Sequence, residues 1–205
     1  AHLATGNYNP KTARIYSDLS LFTSNYEIVN DASLFFNLVT GYSTLQTMKQ
    51  IGMAPVTLKP KLLSMIQREI ERSTPEHPGL IMAKMNALTH EEIIKVLYKA
   101  SQAGVKVLLN VRGVCTLVPG VPGLSENIRV VSIVDRYLEH SRIFYFQNNG
   151  DAELYLSSAD WMPRNLDRRI ELMFPVLDDK VFDEVKEILE VYFKDNENSL
   201  ELKES

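Results

Sequence analysis

The chain has 205 residues, 45% of them hydrophobic and 23% charged, with a formal net charge of −4 at neutral pH. That balance suits a folded protein with one good core or two modest ones, and it excludes a disordered segment and bulk attraction to nucleic acid. The single cysteine, Cys115, excludes an internal disulfide, and no apolar run approaches the ~18–20 residues of a membrane span, so a reducing cytoplasm is the expected location.

The opening Ala1-His2-Leu3-Ala4-Thr5-Gly6-Asn7 has neither an initiator methionine nor a signal-peptide pattern, which predicts a piece of a longer chain. Gly52 and Pro55 interrupt the pattern and place a boundary near Ile51 to Pro55. Residues 1–50 are then the end of one domain, 51–195 a second, and 196–205 a polar tail. Leu62, Leu63, Ile66 and Ile70 recur at helical spacing and predict a helix over Pro60 to Arg72, followed by a strand from Pro78 to Met85. Thr89 and Glu92 have the spacing of a capping box, Ile93, Leu97 and Ala100 share the face behind it, and Gly104 suits a left-handed helix end.

Lys106 to Val111 reads as a buried strand, so strand, helix and strand make a parallel crossover with Arg112 at a carboxyl end, where ligands bind in such folds. Val118-Pro119-Gly120-Val121-Pro122-Gly123 is a turn-rich loop expected to fold over a ligand. Strands follow over Asn127 to Val134, Ser141 to Gln147 and Glu153 to Ser157, the last two joined by the turn signal Asn148-Asn149-Gly150-Asp151. An amphipathic helix over Val181 to Phe193 and a frayed tail from Asp195 complete an α/β pattern.

Between Arg112 and Arg169 all seven positive side chains are arginines (112, 129, 136, 142, 164, 168, 169), although lysines are the more numerous in the whole chain. Arginine makes bidentate, directional contacts to phosphate oxygens, where lysine acts as a mobile point charge. Any one of these arginines could instead pair with a neighbour such as Glu126, Asp135, Glu139 or Asp167.

Thr5 to Leu19 and Ser158 to Leu172 align without gaps: Asn7 opposes Asp160, Tyr8 Trp161, Pro10 Pro163, Lys11 Arg164, Tyr16 Arg169 and Asp18 Glu171. This predicts a duplicated strand-and-loop unit with two converging half-sites. His140 and Arg142 precede the second unit, so their counterparts are expected upstream of Ala1.

The motifs Thr5-Gly6-Asn7-Tyr8-Asn9-Pro10-Lys11-Thr12-Ala13-Arg14, Arg112-Gly113-Val114-Cys115-Thr116-Leu117-Val118-Pro119-Gly120, Asp135-Arg136-Tyr137-Leu138-Glu139-His140-Ser141-Arg142 and Ser157-Ser158-Ala159-Asp160-Trp161-Met162-Pro163-Arg164-Asn165 resemble, in this order, the carboxyl-terminal catalytic part of bacterial polyphosphate kinases. The resemblance implies a phospholipase D-like, duplicated α/β fold with a mixed sheet flanked by helices. It further implies reversible transfer of the terminal phosphate of ATP to inorganic polyphosphate, through a phosphohistidine and with Mg2+. Tyr16, Arg112 and His140 match positions that contact ATP, and Arg169 a further phosphate contact. Arg142 and Arg164 are additional phosphate-binding candidates. The phosphorylated histidine and the arginines associated with magnesium would lie upstream, leaving no metal ligand in this chain.

Read from the residues, His140 is the catalytic candidate, an imidazole able to serve as acid or base or to bind phosphate. Tyr16 offers a ring for adenine, and Trp161 is expected in the core. Ser157, Ser158 and Asp160 are expected to do no more than shape a turn. His2, His77 and His90 are read as structural. The partners expected are ATP or ADP and polyphosphate, with no nucleic acid, no transmembrane segment, a homo-oligomeric assembly and a location that allows peripheral contact with a membrane. The segment alone is expected to be inactive. Two alternatives stay open. One is phosphodiester hydrolysis or transfer of the phospholipase D kind, although Arg142 stands where such enzymes usually carry lysine; the other is a catalytically silent polyphosphate-binding or assembly module.

Overall fold

Alternation along the strands divides the side chains between two cores. In β5 (Leu80–Met85), Ile81, Ala83 and Met85 join one apolar cluster while Met82 joins the other; in β9 (Ile143–Phe146), Phe144 and Phe146 part in the same way from Ile143 and Tyr145. A sheet buried on both faces needs helices on both, and it has them. The helices α2 (Leu58–Arg72) and α3 (Glu91–Gln102) cover the first face, and α5 (Asp179–Lys194) the second. The structure, a computed structural model, describes residues 1–42, 44, 46–133, 138–194 and 199–202.

The central sheet has eight strands in the order β12-β7-β6-β5-β9-β10-β11-β4, where β4 is Gly52–Ala54, β6 Lys106–Val111, β7 Ile128–Ile133, β10 Glu153–Ser157, β11 Glu171–Pro175 and β12 Ser199–Glu201. It is mixed: β5, β6 and β7 run parallel, and the other neighbours are antiparallel. The expected β5–α3–β6 crossover is present. Gly104, at φ +84°, ends α3 in the left-handed region. The β9–β10 turn holds Asn148, Asn149 and Gly150 at positive φ, as its sequence suggests.

Three expectations are corrected. Thr89 and Glu92 form no capping box: His90 is the N-cap residue without a side-chain cap, and Glu92 pairs with Lys59 at 3.3 Å. The tail is not wholly frayed, since β12 completes the sheet along β7, with Leu200 opposite Ser132. The 118–123 loop folds onto α3 instead of over a ligand. There Tyr98 Oη receives the Val118 N–H, Gln102 donates to the Gly123 carbonyl, and Ser125 Oγ donates to the Val118 carbonyl.

Among the elements that the sequence did not place are α1 (Tyr26–Val39), β4, β11 and the short α4 (Pro163–Asp167). With them the duplication becomes explicit. In the small sheet of β1 (His2–Ala4) and β3 (Ser20–Phe22), His2 pairs with Phe22, Leu3 with Leu21 and Ala4 with Ser20. Shifted by the ungapped displacement of the sequence repeat, these become the β10–β11 pairs Tyr155 with Pro175, Leu156 with Phe174 and Ser157 with Met173. The same displacement carries Tyr26, where α1 begins, onto Asp179, where α5 begins.

Side-chain hydrogen bonds repeat too. Thr5 N–H donates to the Leu19 carbonyl at 2.9 Å, Leu19 N–H to Thr5 Oγ1 at 3.1 Å, and Thr5 Oγ1 to Asp18 at 2.9 Å. Their counterparts are Ser158 N–H to Leu172 carbonyl at 2.9 Å, Leu172 N–H to Ser158 Oγ at 3.0 Å, and Ser158 Oγ to Glu171 at 2.5 Å. Coincidence of turn composition does not produce matching registers, helix starts and hydroxyl bonds.

Candidate active site

A polar pocket of about 370 Å3 opens where the carboxyl ends of β5 and β6 meet the loops after β1 and β10. It is lined by Tyr16, Arg112, His140, Arg142, Arg164 and Arg169, so the fold gathers all six residues singled out from the sequence.

His140 follows β8 (Leu138–Glu139), which pairs in parallel with β2 (Tyr16–Ser17). That pairing crosses the two halves of the repeat and brings Asp18 to the imidazole, with Nδ1 at 3.0 and 3.1 Å from the carboxylate oxygens. Arg142 Nη1 also approaches Nδ1, at 3.2 Å, but it has its own acceptor in the Thr5 carbonyl at 3.0 Å. The consistent assignment is therefore Nδ1–H donating to Asp18, which leaves Nε2 for chemistry. Burial alone would raise the Asp18 carboxyl, but the hydrogen bonds from His140 and Thr5 and the charges of His140 and Arg142 hold it below the usual carboxylate range. The Tyr16 ring lies 4.7 Å from the imidazole, tilted by 33°.

Arg142 is almost wholly buried, and its guanidinium is engaged as a fork: Nε reaches Asp160 Oδ1 at 3.1 Å and Nη2 reaches Oδ2 at 3.0 Å. Burial would push the Asp160 carboxyl up, but Arg142 and two N–H donors of Asn86 outweigh it and hold the group down. Asp160 is thus more than a turn former. It anchors Arg142 and, through the backbone N–H of Asn86 at 2.8 Å, the end of β5.

Arg112 is steadied through Nε by Asn86 Oδ1 at 2.9 Å, and its two terminal nitrogens make no hydrogen bond among the described residues. Arg164 and Arg169 are exposed at the rim, on and just after α4. Among the described residues the arginines paired with carboxylates are Arg68, Arg129 and Arg142, which leaves Arg112, Arg164 and Arg169 free to meet an anion. Arg129 lies outside the pocket, paired with Glu201 at 2.8 Å, and Arg168 is exposed but does not line it. Asp135 and Arg136 fall outside the described residues. Trp161 is fully buried against Phe144, as expected.

Asn86, Asp18 and Glu171 were missed from sequence. Asn86 sits where the strand-end rule pointed for Arg112, and the repeat alignment already set Asp18 opposite Glu171. The described residues assemble no group of three or more His, Cys, Asp or Glu side chains able to hold a metal, and no described helix is long and apolar enough to cross a membrane.

Residues 51–205 match the family profile of polyphosphate kinase C-terminal domain 2, and residues 1–45 that of C-terminal domain 1. The chain is 57% identical to a polyphosphate kinase of Rhodopirellula baltica over 198 residues, which are 97% of this chain and 23% of that protein. Among solved structures, polyphosphate kinase from Porphyromonas gingivalis superposes with a TM-score of 0.93 at 43% identity, covering 98% of this chain and 31% of that one. The phospholipase D family member Nuc from Salmonella typhimurium, at 13% identity and a TM-score of 0.55 over 76% of this chain and 97% of its own, shares the fold. The chain spans about a quarter of the length of the curated relatives it matches.

Proposed function

As this chain belongs to the polyphosphate kinase family, we propose that the longer protein transfers the terminal phosphate of ATP reversibly to inorganic polyphosphate through a phosphohistidine, and that this chain forms one wall of the site. The observation that carries the reading is the convergence of three arginines, without acidic partners among the described residues, on a histidine whose Nδ1 is fixed by Asp18. Phosphoryl transfer depends chiefly on positioning and on stabilising charge that spreads over the moving phosphoryl oxygens.

In this reading a histidine nitrogen from the longer protein attacks the γ-phosphorus. The P–N bond forms as the P–O bond to ADP breaks, and the electron pair leaves on the β-phosphate oxygen. A terminal polyphosphate oxygen then attacks the same phosphorus and the histidine departs. His140, with Nδ1–H held by Asp18, presents Nε2 to the oxygens that gain charge, while Arg112, Arg164 and Arg169 balance them. Tyr16 supplies a face for the base. Glu171, which accepts from Ser158 and from Asn165 Nδ2 at 2.7 Å, stands in the second half-site where Asp18 stands in the first. It is the carboxylate suited to orient the phosphorylated histidine. Magnesium would enter with ATP, since the pocket's free side chains are cationic rather than anionic.

Labelling with ATP carrying 32P in the γ position tests the scheme in the full-length protein. His140→Gln should slow polyphosphate synthesis about 10²–10⁴-fold. Acid-labile label mapped stoichiometrically to His140, or synthesis by His140→Gln at the parent rate, would sink it.

A further inference from the structure

We infer that Lys84 is a positioning residue for His140: its buried ammonium clamps the peptide carbonyls on both sides of that histidine and ties them to the central strand and to α5. The inference rests on the role given to His140 above.

Lys84 lies next to the carboxyl end of β5, 0% exposed, on the face where its strand neighbour Met82 packs into the apolar core beneath α5. A buried ammonium is costly unless each of its donors is met, and an apolar side chain would fill the position without that cost. Here the three donors have matched partners. Nζ donates to the Glu139 carbonyl at 3.0 Å and to the Ser141 carbonyl at 2.9 Å, and it sits 4.9 Å from the centre of the Tyr192 ring.

The two carbonyls belong to the residues immediately before and after His140. The carbonyl of His140 itself accepts from Asn86 Nδ2 at 3.1 Å, and its N–H donates to the Ser17 carbonyl at 2.9 Å. Every backbone carbonyl from 139 to 141 is therefore held by a side chain from β5 or its end. Tyr192 completes the cover, donating its hydroxyl to Glu139 Oε2 at 2.6 Å, so that α5 reaches the catalytic loop through the same pair.

The charged groups around Lys84 come from several elements. Glu139 ends β8, Arg142 stands just before β9, Arg112 just after β6 and Asp18 just after β2. Burial pushes the ammonium down to about 8; Glu139 and Asp18 oppose that, and Arg142 and Arg112 add to it. Loss of the proton would replace two charge-assisted bonds with weaker neutral ones.

The test uses the full-length polyphosphate kinase and three variants, Lys84→Met, Lys84→Gln and His140→Gln, with kcat and KM for ATP followed across pH. Lys84→Met should lower kcat about 10²-fold with KM little changed, the result of a small displacement of a catalytic group. The parent kcat should fall on the alkaline side with an apparent pKa near 8, and that limb should vanish in the variant. If Lys84→Met fails to fold by circular dichroism, Lys84→Gln is judged by the same two criteria. Parent-like kcat in the folded variant, or an unchanged alkaline limb, overturns the inference. Parent-like synthesis by His140→Gln overturns instead the role of His140, whatever Lys84 does.

Discussion

The two copies of the repeated unit share a backbone plan and differ in what they bury. In the second copy α5 lays Val185 and Leu189 against the sheet, with Leu189 0% exposed. The matching position in α1 is Phe36, 63% exposed, and α1 is held by another device: buried Asp31 accepts the backbone N–H groups of Lys49, Gln50 and Ile51 at 3.1, 2.6 and 2.9 Å. The site differs in the same manner. Asp160 is buried and grips Arg142, whereas its counterpart Asn7 is exposed. A duplicated plan therefore fixes strand register, caps and hydroxyl bonds, while burial, and with it the energy at stake, is decided copy by copy.

The largest test of that contrast is Asp160→Ala against Asn7→Ala. Removing one partner of the buried pair should cost about 3–5 kcal/mol because Arg142 is left uncompensated, while the exposed asparagine should cost within about 0.5 kcal/mol. Urea unfolding of both variants checks this, and equal losses would break the contrast. Next, Leu189→Ala should cost about 2–5 kcal/mol through its cavity, with Phe36→Ala well below that in the same measurement.

The helix caps should instead behave alike. Asn25 Oδ1 accepts the Ile28 N–H at 3.2 Å, and Asp178 Oδ1 accepts the Val181 N–H at 3.1 Å, positions related by the same displacement. Alanine at either should cost about 0.5–2 kcal/mol, read from thermal melts. A cap that matters in one copy only would show that the shared plan is not energetic.

The smallest effect concerns acid. Asp18 has a carboxyl held below its ordinary 3.8, so its contribution is complete above that value and is lost as pH falls through the lowered one. Asp18→Asn should flatten that limb of the melting temperature between pH about 5 and about 2.

Much of the fold was legible. Helical spacing gave α2 and α5, turn chemistry gave the β9–β10 connection, and the ungapped alignment announced the duplication before any strand was placed. The elements that escaped were short or lacked a pattern of their own: β4 has three residues, α4 five, and α1 buries an aspartate where a core face would be sought. The candidate side chains were also legible by type, since six of them share one pocket.

Which of those side chains is free and which is committed was not legible. Arg112 and Arg142 are alike in sequence, yet one ends in donors that no described residue accepts and the other is locked to Asp160. Lys84 reads as a polar interruption of a strand, and only the packing of β5 against the 139–141 loop and α5 shows it as a buried clamp. Sequence by itself determined periodicity, local turns and the repeat, because these depend on neighbours along the chain. The tertiary structure decided the partners, because a side chain's charge, burial and free hydrogen-bonding capacity depend on groups that lie far away in the chain and meet only when the sheet is assembled.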